Sequence, residues 1–265
     1  MEKILKMVFF IFILVDCKIE RGNEFKREDF IVISIDENIP ETSVLDSFFE
    51  SIEYIPLETN EESMIHTITR FELIDERIVI FDKPGQSVLV FSSEGKFLHR
   101  IGKMGTGVND FLDIREIAID ESKKTVALFD QKQFAVLEFD IEGNFIDKTY
   151  FNNIFFSYFK KAEDKMYCFM HNRPYKENFY DLICFEHNEI KKMYFPFSKN
   201  DDNFWFLPSY PFYIFNNQLN FVDLFSGRTF IISDNPDPGY LIDFGQKQMP
   251  LKYRKRKDLF FENKN

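Results

Sequence analysis

Ile80-Phe81-Asp82 recurs as Leu128-Phe129-Asp130 at a spacing of 48 residues, and the sequence around it recurs too. Val90-Phe91-Ser92-Ser93-Glu94-Gly95-Lys96-Phe97 returns, again 48 residues on, as Glu138-Phe139-Asp140-Ile141-Glu142-Gly143-Asn144-Phe145. Phe, Glu, Gly and Phe coincide at the same offsets. A weaker third copy is Cys184-Phe185-Glu186-His187-Asn188-Glu189, in which Asn188 can take the left-handed conformation that glycine supplies elsewhere. A fourth is Ile231-Ile232-Ser233-Asp234, with its turn lengthened by Asn235 to Gly239. The positions Phe91, Phe139, Phe185 and Ile232 are spaced by 48, 46 and 47 residues, so one structural unit organises most of the chain.

Within one unit the pattern is four short strands. Thr67 to Leu73, Arg77 to Phe81, Ser87 to Phe91 and Phe97 to Ile101 alternate or run apolar, with Asp-Glu, Lys-Pro-Gly and Ser-Glu-Gly turns between them. Four-stranded antiparallel units repeating at 40 to 50 residues predict propeller blades, each sheet buried on both faces by its neighbours. The 35 Phe residues fit such faces, since planar apolar side chains favour strands. Phe151 to Phe159 and Phe204 to Phe215 read as innermost strands with their lead-in loops. Inter-blade core is the ordinary role for these rings. Trp205, at the start of a strand and with an indole N–H that wants a partner, is the aromatic most suited to a ligand.

The chain outside the repeats divides into short pieces. Met1 to Cys17 carries Lys3 and Lys6 and then the apolar run Met7 to Val15, nine residues, too short for the roughly 20 that cross a bilayer. It reads as a secretory signal. Leu14-Val15-Asp16-Cys17 resembles a bacterial lipoprotein box that would make Cys17 the lipidated first residue, although Asp16 departs from the small residue required there. Residues 18–29 read as a polar tether and residues 30–265 as the propeller domain. Phe30 to Ile35 alternates as a strand able to pair with the last blade. Val44, Leu45, Phe48, Phe49 and Ile52 recur at helical spacing and predict a short helix covering one end.

Several motifs together resemble a known family. Ile55-Pro56-Leu57-Glu58-Thr59 with Ser63-Met64-Ile65, the link Ile101 to Phe111, and Asp243-Phe244-Gly245 with Met249-Pro250 are similar to NHL-like six-bladed β-propeller proteins of bacterial envelopes. The resemblance implies six blades and says little of chemistry, because a propeller hosts many functions. Only 213 residues follow Ile52, enough for four to five blades of about 47. The expectation is therefore an all-β, C-terminally truncated propeller, an open arc in which the strand at Phe30 to Ile35 has no final blade to join, with a closed four-bladed ring as the alternative.

The charge balance narrows the partners. Formal charge is -11, which repels phosphate backbones and anionic lipid, so nucleic acid is not expected despite the basic run Lys252 to Lys257, and membrane contact is expected only through a lipid anchor. Gly102-Lys103-Met104-Gly105-Thr106-Gly107 lacks the following helix that a phosphate loop needs and reads as a blade link. Asp82, Asp130 and Asp223 end equivalent strands; a carboxylate ring for Ca²⁺ is conceivable, but an Asp before a turn more commonly accepts the turn's own N–H groups, and no metal or other cofactor is expected. Cys168 and Cys184 fall on adjacent strands, as buried thiols or as a disulfide. The histidines are isolated in sequence, and no hydrolase or zinc signature appears.

Arg70, Arg115 and Glu116 fall on inner strands facing the central channel. Arg there can hold a carboxylate or phosphate bidentately, or simply form a salt bridge between blades. With Trp205 these are the ligand-binding candidates. The reading is an exported envelope propeller, a non-catalytic binding module for a small molecule, glycan or protein. The alternative is a propeller-type lyase, lactonase or hydrolase with a channel-mouth site.

Overall fold

A computed structural model of the chain describes residues 25–35, 51–151, 154–162, 164–171, 173–197, 210–223 and 226–247. Among these, strands and two 3-10 turns, Arg27–Asp29 and Gly245–Lys247, are the regular elements. After β1 (Ile31–Ser34), the first sheet holds β2 (Arg70–Ile74), β3 (Arg77–Asp82), β4 (Ser87–Ser92) and β5 (Phe97–Arg100). The second holds β6 (Ile114–Asp120), β7 (Thr125–Asp130), β8 (Ala135–Asp140) and β9 (Phe145–Tyr150). In the third, β10 (Tyr158–Ala162), β11 (Lys165–Phe169), β13 (Asn178–Glu186) and β14 (Glu189–Phe197) form the meander, and the two-residue β12 (Pro174–Tyr175) adds to β13. The fourth holds β15 (Phe212–Phe215), β16 (Gln218–Asp223), β17 (Arg228–Ile231) and β18 (Asp237–Asp243), with β1 on its outer edge. Four antiparallel blades in sequence order make this a β-propeller, as the repeat predicts.

The strand sequences explain the stacking. In β7 every residue is buried, because Leu128 faces the first sheet while Ala127 and Phe129 face the third. Val79, Phe81, Val88 and Val90 meet Ile117, Leu128, Leu137 and Phe139 between the first two blades. Phe129 stacks on Phe156 at 3.9 Å between the second and third. Phe212, Phe221 and Phe230 meet Phe169 and Leu182 between the third and fourth. Each fully buried Phe contributes on the order of 2 to 3 kcal/mol, and most of the buried Phe among the described residues lie in these three seams. Among the described residues no apolar cluster joins the fourth blade to the first. The free face of the first blade is partly covered by Leu57 and Ile65, while Phe71 and Leu73 remain 61% and 66% exposed.

Two expectations change. The strand at Phe30 to Ile35 does have a blade to join: Ile31 to Ser34 pair in parallel with Tyr240 to Asp243 of β18. An edge strand leaves a row of backbone groups unpaired, and β1 supplies partners for it. Phe25, within the stretch read as a tether, packs on Phe230 at 5.3 Å. The helix proposed around Val44 to Ile52 falls on residues 44–50, outside the described residues; residues 51–58 form no regular element. Cys17, Trp205 and the basic run from Lys252 also lie outside them.

Candidate functional site at the channel mouth

A propeller's innermost strands are edge strands, with one row of backbone groups turned to the channel, and something must satisfy them. Here long cationic side chains do. Arg70, at the start of β2, donates to the Ile117 carbonyl of β6 at 2.7 Å, and Lys160 of β10 donates to the Ile119 carbonyl at 3.0 Å. Arg70 also pairs with Glu116 at 3.0 Å, and the Glu116 carboxylate accepts the Ile117 N–H at 3.0 Å. The predicted candidates Arg70 and Glu116 therefore meet, as the salt bridge between neighbouring blades. Burial raises the Glu116 pKa, and the Arg70 guanidinium opposes that rise. Tyr210, just before β15, lies under the Arg70 guanidinium at 3.5 Å and donates its hydroxyl to the Phe159 carbonyl at 3.1 Å. Burial drives the Tyr210 hydroxyl's pKa upward. All four blades thus contribute to one junction.

Arg115 has a different setting. The β6–β7 ladder pairs Ile114 with Asp130 and then Glu116 with Phe129, so Arg115 is the extra residue of a β-bulge, and its side chain is exposed. Bulges redirect side chains and occur often beside functional sites. The bulge is set beside the first blade by Gln86, whose amide donates to the Lys83 and Ile114 carbonyls at 2.9 and 3.1 Å and accepts the Ile114 N–H at 2.7 Å. That clamp brings Lys83, in the β3–β4 turn, next to Arg115. From the third blade, Arg173 lies over the Phe155 ring at 5.6 Å, and Phe155 meets Phe134 edge-on at 4.7 Å. Burial lowers the pKa of both Lys83 and Arg173, and the Arg115 charge lowers each further.

Lys83 and Arg173 carry no signal in the sequence pattern, whereas Tyr210 falls in the run Phe204 to Phe215 read as an innermost strand with its lead-in loop. Lys83 and Arg173 sit in turns between strands two and three, where the repeat predicts only that a turn exists. The strand-ending aspartates behave as turn acceptors. Asp82 takes N–H groups from His66, Thr67 and Gly85 at 2.8, 3.3 and 3.0 Å, and Asp130 takes those of Leu112, Lys132 and Gln133 at 2.6, 2.9 and 3.1 Å. Asp223 accepts the Ser226 hydroxyl at 2.6 Å. A separate cleft of about 100 Å³, open to solvent, lies between the second and third blades. Three of its lining charges are held in ion pairs, Lys161 with Glu138 at 2.5 Å and Asp164 with Lys123 at 2.7 Å, and the channel mouth is the better candidate.

The comparisons with other proteins agree on architecture. A Bacteroides fragilis structure described as "Putative exported protein" superposes with a TM-score of 0.68 at 15% identity, over 81% of this chain and 60% of that one. A Bacteroides vulgatus structure of the duf4221 family superposes with a TM-score of 0.51 at 9% identity, over 69% of this chain and 59% of that one. The chain thus spans about three fifths of the length of each, and at these identities the likeness is one of fold. No curated protein matches the sequence. No helix among the described residues is long and apolar enough to cross a membrane. A family profile matches residues 30–265, nearly the whole of the chain, and the chain belongs to that family, described as Domain of unknown function (DUF4934).

Proposed function

We propose that this protein is an exported propeller of the bacterial envelope that binds a small molecule or glycan at its channel mouth without catalysing its conversion. Support for export comes from the basic start and short apolar run at Met1 to Val15, and from the description carried by the Bacteroides fragilis structure. In this reading Cys17 is the residue that would carry a lipid anchor. The six-bladed form rests on the resemblance to NHL-like proteins.

One observation carries the binding reading. Lys83, Arg115 and Arg173, from inner strands and turns of three blades, are electrostatic neighbours beside the Arg70–Glu116–Tyr210 junction. Arg70 and Glu116 then fix the mouth, and Arg115 is the contact. Concave sites built where several elements converge, with a few convergent polar groups, are where small ligands bind. The test is a thermal-shift screen of the full chain against small metabolites and glycan fragments, repeated with Arg115→Ala. A compound that raises the melting temperature of the parent and not of the variant supports the reading. Hits that ignore Arg115→Ala contradict it, and conversion of a bound compound to product would overturn the non-catalytic assignment.

A further inference from the structure

The charge at the mouth has a sign opposite to that of the protein. The chain carries -11 overall, yet the four cations Arg70, Lys83, Arg115 and Arg173 gather at this mouth beside three acids, Glu72, Asp113 and Glu116, and Arg70 is the ion-pair partner of both glutamates. We infer that the channel mouth, as the proposed binding site, takes a small organic anion whose carboxylate or phosphate group sits among Lys83, Arg115 and Arg173. This deepens the binding reading and rests on it.

Two features favour an anion over a neutral or cationic ligand, and a third suits the organic part that such an anion carries. Arg115 projects from a bulge, so its fork of donors is offered outward and is not used by the ladder. Lys83 is fixed by backbone and Gln86 contacts: its N–H donates to the Thr69 hydroxyl at 3.2 Å and its carbonyl accepts from Gln86. Its amine is thus presented from a short, constrained turn. Phe155, 36% exposed beneath Arg173, offers an apolar surface for the organic part of the ligand. Like charges pressed together at a partly buried position destabilise one another, and a bound anion relieves that repulsion. Burial is the main cause of the lowered pKa values of Lys83 and Arg173, and the Arg115 charge adds to it in both.

Isothermal titration of the full chain with citrate, inorganic phosphate and glucose tests this, with the parent protein and the variants Arg115→Glu and Lys83→Met. Citrate stands for a carboxylate source, phosphate for a phosphate source and glucose for a neutral one. The expected result is binding of citrate or phosphate, weakened about tenfold or more in each variant, the scale of one lost charge-assisted hydrogen bond. Binding should also weaken as salt rises, since the mouth opens to solvent. Which anion binds tells the two sources apart. Anion binding untouched by both variants, or no binding of either anion, overturns the inference. If glucose or another neutral compound binds in a manner sensitive to Phe155→Asp while neither anion binds, the anion assignment fails and the mouth remains a binding site. Circular dichroism of each variant, matching the parent, ensures that a lost signal reflects the site and not the fold.

Discussion

Gly95 and Gly143 hold φ of 83° and 85° at equivalent turns, each donating its N–H three residues back, to Ser92 and Asp140, at 3.0 Å. In the third copy Asn188 takes φ of 65°, as its polar side chain allows. These positions were legible because the backbone demand is local. Their surroundings are not: a Cβ on Gly95 collides with the Pro56 carbonyl, whereas one on Gly143 meets the Arg100 carbonyl at 3.2 Å. Gly95→Val is therefore expected to lower stability more than Gly143→Val, and both by about 1 to 3 kcal/mol of backbone strain, read by thermal melts. Asp82 extends the argument to titration. Burial would raise its pKa, but N–H donors from His66, Gly85 and Thr67 hold it below 3.8. A depressed carboxylate stabilises the fold above its unfolded pKa, and that contribution is lost as pH falls from 3.8 through the lower folded value. Asp82→Asn should thus flatten the acid limb of the stability profile; an unchanged limb would contradict the turn-acceptor role.

At the scale of elements, strand pairing decides what spacing cannot. Cys168 and Cys184 are on the adjacent strands β11 and β13 as their sequence suggests, but the register pairs Tyr167 with Cys184 and Cys168 with Ile183. Their side chains therefore face opposite sides of the sheet, Cys168 toward the second blade and Cys184 toward the fourth. Both are buried thiols, and burial pushes Cys184 up to about 11 and Cys168 higher than its usual value. Neither should react with a thiol reagent at neutral pH until the protein is unfolded with denaturant; a disulfide-linked peptide after digestion would contradict this register. The bulge at Arg115 was not legible for a related reason. It arises where β6 meets both its own hairpin partner and the Gln86 clamp from another blade, a tertiary constraint that no local pattern encodes. The four-stranded meander of the first blade and, to within one residue, the bounds of its second to fourth strands were legible, because alternation and turn residues act within one hairpin; its first strand begins at Arg70, three residues later than the sequence suggests.

On the whole-molecule scale, three apolar seams tie the blades in sequence order, and the polar junction at the channel ties their inner strands. The position of Arg70 and Glu116 on the first strands of neighbouring blades was legible from the repeat register; their partnership with Tyr210 was not, since Tyr210 precedes the fourth blade. Side chains of Arg70 and Glu116 are 11% and 6% exposed, so removing Arg70 leaves the Glu116 charge buried without its partner, at a cost of about 3 to 5 kcal/mol, whereas removing Glu116 leaves Arg70 with Glu72 at 3.8 Å and costs less. The convergence of blades on that junction underlies both the fold and the proposed site. It is tested most directly by a double-mutant cycle with Arg70→Met and Glu116→Leu, scored by chemical denaturation. The account predicts a coupling of about 1 to 3 kcal/mol, with the double variant more stable than the sum of the singles requires. Additivity within about 0.3 kcal/mol would show that the two residues do not meet, and the channel-mouth geometry would fall with them.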